Sequence, residues 1–304
     1  MNSLHSGRTT WAGIGFAVLA TILWSGNFTI ARGIKDVMPP VSVAFYRWCC
    51  ASLLLLPLVW RQFRKELPVV KAHKNYVLWV AFLGVTLFNT LAYFAGHYTS
   101  AINLALIGTT SSPVFAIIMA AIFLKEQIRP VQVAGLLLCL TGIVFLIAEG
   151  SWEKLMAFRF SPGDVLILLA GFCFAVYNIL VRRKPVGFSP VNFLFVIFTA
   201  GTLMLLPAWL IEISYMPPVK WSWQLVLIIL YLGLGTSVLA FLCWNAAIAR
   251  LGAGRTALFG NLIPVFSSLQ AVWLLNEQLT LIHLFSGLAV IAGVLIANLQ
   301  KKKR

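Results

Sequence analysis

Long apolar blocks alternate with short polar stretches along all 304 residues of this chain. Residues 11–31 and 284–299 carry no charge at all. About 20 consecutive apolar residues, coiled as a helix, cross the roughly 30 Å hydrocarbon core of a bilayer. The blocks are continuously apolar and do not alternate residue by residue, as strands of a membrane barrel do. The pattern predicts an all-α integral membrane fold of ten spans, near 11–31, 41–60, 76–98, 101–123, 131–148, 164–181, 190–211, 222–248, 255–275 and 280–299.

The pattern also repeats. "SPVFAIIMAAIFLKEQ" (112–127) returns as "IPVFSSLQAVWLLNEQ" (263–278), 151 residues later. The same offset pairs Asn27 with Asn178, Pro39 with Pro190, Gly84 with Gly235, Tyr93 with Trp244 and Gly142 with Gly293. Two units follow, residues 1–150 and 151–304, with five predicted spans each. Five is odd, so the second unit enters the membrane from the opposite face, as an inverted-topology repeat. Two similar halves in opposite orientations can form similar inward-open and outward-open states around one central site. Pro113 and Pro264 fall near the middle of spans four and nine. Each removes a helical hydrogen bond there, which makes them candidate hinges.

Composition agrees with lipid as the solvent. Apolar and aromatic residues make up 61% of the chain and charged residues 10%, against about a quarter charged in soluble domains. The net charge of +15 does not point to nucleic acid, because the basic residues cluster in short loops. With the N-terminus inside, 17 Lys and Arg fall on the inner side and 5 on the outer. That bias predicts both termini in the cytoplasm. The first apolar block lacks a small-x-small cleavage site and is read as a span, not a removed leader. The five cysteines lie inside apolar blocks without C-x-x-C spacing, which reads as reduced packing residues.

All eight acidic residues fall at span ends or in loops. A proton-coupled pump for cationic drugs ordinarily keeps a carboxylate deep in the membrane. A neutral or zwitterionic cargo fits better. Arg47 is the one basic residue well inside a span. Thr86, Asn89, Tyr93 and His97 are spaced 3, 4 and 4 apart, so they share one helical face. A polar stripe in lipid must face protein or water. Asn89 and Tyr93 are therefore candidate cargo contacts. Further candidates are Trp24 and Asn27 in span one, and Thr110, Ser111 and Ser112 beside Pro113. Phe174, Tyr177 and Asn178 follow in span six, Trp244 and Asn245 in span eight, Asn261 and Ser268 in span nine. Amide and hydroxyl groups can hold the two ends of an amino acid, and aromatic faces suit a flat apolar side chain. The alternative for Trp24, Tyr93 and Trp244 is the interfacial aromatic belt.

"LWSGNFTIAR" (23–32), "PPVSVAFYRW" (39–48), "GDVLILLAGFCFAVYNILVRR" (163–183) and the repeated phrase resemble the drug/metabolite transporter superfamily, in its ten-helix EamA-type branch. The resemblance covers about residues 11–299 and is nearest to bacterial exporters of aromatic amino acids. It implies a multi-pass protein of the bacterial inner membrane that exports small metabolites. It also implies that spans one, three, four, six, eight and nine surround the cavity, with spans two, five, seven and ten outside or buttressing it, so that Arg47 is read as structural or snorkelling. The small four-helix members carry a membrane-embedded Glu in their first helix; this chain has none there. The runner-up is a broad exporter of toxic aromatic or cationic compounds. A carrier of anionic sugar phosphates would want basic residues in the cavity. An enzyme is not expected: there is no H-E-x-x-H, no G-x-S-x-G and no deep carboxylate pair. Four scattered histidines argue against a metal, and no cofactor is expected. The expected partners are a small-molecule substrate and the bilayer, with the chain acting as a monomer.

Overall fold

The computed structural model describes residues 2–34, 37–98, 101–148, 150–157, 161–275 and 281–298. Side chains are described at most of these positions, but not at His97, Thr110 or Ser268. All regular structure among the described residues is helical. We number the long segments α1 (Asn2–Ile34), α2 (Pro40–Ala72), α3 (74–98), α4 (Ala101–Leu124) and α5 (Pro130–Ile147). After a short helical turn, Trp152–Met156, come α6 (Pro162–Arg182), α7 (Pro190–Tyr215), α8 (223–251), α9 (253–275) and α10 (Leu281–Asn298).

Among the described residues, five helices are long and apolar enough to cross a membrane: Pro40–Ala72, Lys74–Ala95, Pro162–Arg182, Pro190–Tyr215 and Trp223–Leu251. Shorter apolar helices run through Ser111–Leu124, Pro130–Phe145 and Leu284–Ala297. Their outer faces are apolar too. Leu53, Leu58 and Trp60 on α2, Leu203 and Ile211 on α7, and Leu284, Leu288 and Leu295 on α10 are all exposed. Exposed apolar surface on this scale belongs against lipid. The chain is a multi-pass membrane protein.

Three helices depart from unbroken α geometry. α3 contains a π turn at Phe82–Leu87, and α8 contains one at Tyr231–Leu239. α9 opens with Ala253–Leu258, tightens to 3-10 at Phe259–Leu262, and continues as Ile263–Leu275. Pro264 thus sits at the start of a new helical segment, while Pro113 lies inside α4. α2 runs twelve residues past its expected end at 60, to Ala72. The charged stretch after Trp60 hid that extension, because charge ends an apolar block without ending a helix.

Helix pairing has a pattern. α2 packs on α7, and α5 on α10. α4 packs on α6 as α9 packs on α1, and α3 packs on α6 as α8 packs on α1. The α5–α10 contact is tight because glycines face each other. A Cβ on Gly135 would meet Gly293 O at 2.4 Å, and one on Gly293 would meet Gly135 O at 2.6 Å. Cys139 Sγ donates to Val290 O beside them, at 3.4 Å.

α2 and α7 cap each other. Neither has a side-chain cap from its own N-cap residue, Pro39 or Ser189. Glu212, near the end of α7, accepts from Val41 N at 2.9 Å and Ser42 N at 2.6 Å. Glu66, near the end of α2, accepts from Ser189 N at 3.1 Å and Asn192 Nδ2 at 2.6 Å. The two helices therefore run antiparallel, each end carrying a carboxylate for the other's unpaired N–H groups and positive dipole end. Replacing a capping acceptor costs about 1–2 kcal/mol. We expect Glu212→Ala to lower stability by about that amount, read as a lower thermal midpoint in detergent. An unchanged midpoint would mean that water caps α2 equally well.

Candidate functional site

A cavity opens among α1, α2, α3, α4, α6, α8 and α9. Its volume is about 100 Å³, where one water needs roughly 10–15 Å³ on the same measure. It therefore has room for several waters. The first half contributes Trp24 and Asn27 of α1, Arg47 of α2, Phe88 and Asn89 of α3, and Ser112 and Pro113 of α4. The second half contributes Phe174 of α6, Phe241 and Trp244 of α8, and Ala257, Gly260 and Ile263 of α9. Every amide, hydroxyl and charged side chain in the described lining comes from the first half.

The aromatic residues form a connected box. Trp24 meets Phe174, Phe241 and Trp244 at centroid distances of 5.7, 5.4 and 4.9 Å. Phe88 stacks on Phe174 at 4.7 Å. These separations lie in the favourable range for offset and edge-to-face pairs, so the rings fix one another's angles. The indole N–H groups are already used. Trp24 Nε1 donates to Thr236 O at 2.9 Å, and Trp244 Nε1 donates to Asn178 Oδ1 at 2.9 Å. What the tryptophans offer a ligand is ring surface.

Arg47 is the outstanding polar group. It lies seven residues into α2, about 10 Å along the helix, and is 2% exposed. Its Nε donates to Ser237 Oγ at 2.7 Å. Nη1 donates to Asn89 Oδ1 at 3.2 Å and Tyr93 OH at 3.3 Å. Nη2 donates to Thr236 O at 3.3 Å, and the guanidinium lies 4.7 Å over the Trp48 ring. Arginine deep in a membrane helix costs about 2.5–3.5 kcal/mol on insertion scales. Hydrogen bonds to a charged group return about 1.5–3 kcal/mol each, so this cage makes the position tenable. All these partners are neutral.

The π turns arrange the cage. A π turn holds one residue more than an α turn, and one residue is about 100° of rotation. In α3 the turn at Phe82–Leu87 splits the expected polar stripe. Thr86 turns to α7, where its Oγ1 donates to Gly201 O at 3.2 Å, while Asn89 and Tyr93 face Arg47. Gly84, within the same turn, admits the Tyr177 ring; a Cβ there would lie 2.2 Å from it. In α8 the turn places Thr236 O and Ser237 Oγ toward Arg47.

The expected residues divide three ways. Trp24, Asn27, Asn89, Ser112, Pro113, Phe174 and Trp244 line the cavity. A second group stands behind it. Tyr93 holds Arg47, and Asn178 orients Trp244. Tyr177 OH donates to Asn245 Oδ1 at 2.8 Å, tying α6 to α8. Ser111 packs against Gly171, and Asn261 is buried outside the lining. Pro264 adjoins the lining residue Ile263 without joining it. The Thr110 and Ser268 side chains lie outside the described residues.

The placing of span two outside the cavity is corrected: Arg47 ties α2 to α3 and α8, as a structural residue would, and it also lines the cavity. The signal was available, since a lone charge deep in a span is a functional candidate by default. Phe88, Phe241, Ala257, Gly260 and Ile263 gave no such signal among the many apolar residues of their helices. Among the described residues there is no group of three His, Cys, Asp or Glu suited to a metal.

Comparison with known proteins places this architecture. The chain is 29% identical over 285 residues to an uncharacterized transporter of Archaeoglobus fulgidus, covering 93% of this chain and 96% of that one. It is 24% identical to the "Probable terminal-alkyne amino-acid exporter" of Streptantibioticus cattleyicolor, covering 96% and 93%. A solved crystal structure shares the fold with a TM-score of 0.74, at 19% identity and 96% coverage of both chains. Residues 11–148 and 161–299 each match one family. The chain belongs to the EamA-like transporter family.

Proposed function

We propose that this protein is a secondary transporter that exports small metabolites, in particular aromatic or other apolar amino acids, across the bacterial inner membrane. The polypeptide crosses ten times, with both termini in the cytoplasm. Residues 1–150 and 151–304 act as inverted repeats that expose the central cavity to each face in turn. Pro113, and the 3-10 break before Pro264, serve as the flexing points. A monomer carries both halves and suffices.

One observation carries the reading: one cavity is lined both by the polar groups of Asn27, Arg47, Asn89 and Ser112 and by the rings of Phe174, Phe241 and Trp244. Such a site suits a molecule with one polar end and one apolar end. An apolar amino acid is such a molecule, and a "Probable terminal-alkyne amino-acid exporter" stands among the relatives. The pairing of α2 with α7 and of α5 with α10, each with its counterpart in the other half, supports the inverted repeat. A broad exporter of aromatic or cationic compounds is favoured by the ring faces alone, but Arg47 in the lining repels cations.

Counterflow in proteoliposomes tests the proposal. Vesicles preloaded with unlabelled phenylalanine should take up labelled phenylalanine saturably without a pH gradient. No counterflow with any amino acid, in protein shown to be folded, would contradict it. Asn27→Ala should raise the half-saturation concentration about tenfold, roughly 1.4 kcal/mol, with the thermal midpoint unchanged. Tyr177→Phe should do the reverse. It loses one buried hydrogen bond, about 1 kcal/mol of stability, and keeps the half-saturation concentration.

A further inference from the structure

We infer that Arg47 anchors a carboxylate of the cargo, so that the site takes apolar monocarboxylates and rejects the matching amines. The inference rests on the transporter reading above and names the chemical class that reading leaves open. Four observations support it. First, Arg47 is buried and lines the cavity, yet its described partners, Ser237, Asn89, Tyr93 and Thr236, are all neutral. Neutral acceptors satisfy N–H groups but leave the charge uncompensated. A guanidinium does not shed its proton in a protein. Second, the guanidinium is held from α3 and α8 as well as carried by α2, which fixes its orientation; these bonds use four of its five N–H donors and leave one on Nη2 for a carboxylate oxygen.

Third, among the described residues the lining includes no Asp or Glu. An ammonium group in the cavity meets neutral oxygens and a fixed positive charge. Fourth, the rings of Phe174, Phe241 and Trp244 line the same cavity, so a ligand whose carboxylate reaches Arg47 has aromatic surface for its apolar part. An α-amino group is then tolerated without being required.

A purely structural Arg47, tying three helices together, would leave ligand preference unchanged, so preference is the readout. The full chain in detergent is titrated with 3-phenylpropionate, L-phenylalanine and phenethylamine, followed by tryptophan fluorescence and thermal shift. Phenylalanine counterflow is measured in parallel. The anchor predicts that 3-phenylpropionate binds at least tenfold more tightly than phenethylamine. It also predicts that Arg47→Lys keeps the preference and Arg47→Gln abolishes it. The wild-type comparison decides alone if a variant does not fold. Equal or tighter binding of phenethylamine overturns the anchor, as does an unchanged preference in folded Arg47→Gln, or failure of either acid to bind. Acid-selective binding without phenylalanine counterflow supports the anchor and contradicts amino-acid export. Counterflow that phenethylamine inhibits as well as 3-phenylpropionate does supports export and overturns the anchor.

Discussion

The carbonyl oxygen of Thr236 accepts two hydrogen bonds across helices, from Trp24 Nε1 and from Arg47 Nη2. A helix inside a bilayer ordinarily keeps its carbonyls to itself, because lipid offers no alternative partner. Here the π turn at Tyr231–Leu239 rearranges the local ladder and turns backbone polarity toward the centre of the molecule. Around that one atom the site assembles. Trp24 is fixed with its faces toward the aromatic box, and Arg47 is held against the cavity with its charge intact. Protein supplies the solvation that lipid withholds.

The scaffold is symmetric, but the site is not. At the 151-residue offset Arg47 corresponds to Phe198, Asn89 to Ala240, and Ser112 to Ile263. In each pair the first half carries the polar member and the second half the apolar one. Asn27 corresponds to Asn178, yet Asn27 lines the cavity and Asn178 is taken by Trp244. Paired helices and reciprocal carboxylate caps on α2 and α7 preserve the resemblance where it serves mechanics. It is lost among the residues that line the cavity. A two-fold cavity would offer the same chemistry twice; this one takes its amide, hydroxyl and charged groups from the first half alone.

Much of the helical layout was legible from the chain, because lipid permits long apolar helices and little else. The described helices lie within a few residues of the expected blocks, the start of α1 and the end of α2 apart. Within the site, tryptophan and asparagine were informative: both are costly in a span unless something engages them, and Trp24, Asn27, Asn89 and Trp244 all line the cavity. Two things could not be read. The π turns have no simple sequence signature, and each rotates everything beyond it, so a stripe counted at α-helical spacing breaks at Thr86. Phenylalanines are too numerous, at 22, for Phe88 and Phe241 to be distinguished from those facing lipid. Arg47 was misplaced for another reason: its long side chain reaches a cavity that its own helix backbone only flanks.

The central claim is that both membrane faces reach this one cavity in turn. Gly260 lines it, and a Cβ at that position meets nothing within 4 Å. Gly260→Cys is therefore a reporter of low steric cost. The background would lack the half-exposed Cys49, Cys50 and Cys243 and keep the buried Cys139 and Cys173. In proteoliposomes of fixed orientation, a membrane-impermeant maleimide is added to one face at a time. The account predicts labelling from both faces, slowed from both by cargo. Labelling from one face only, whatever the cargo, would contradict it.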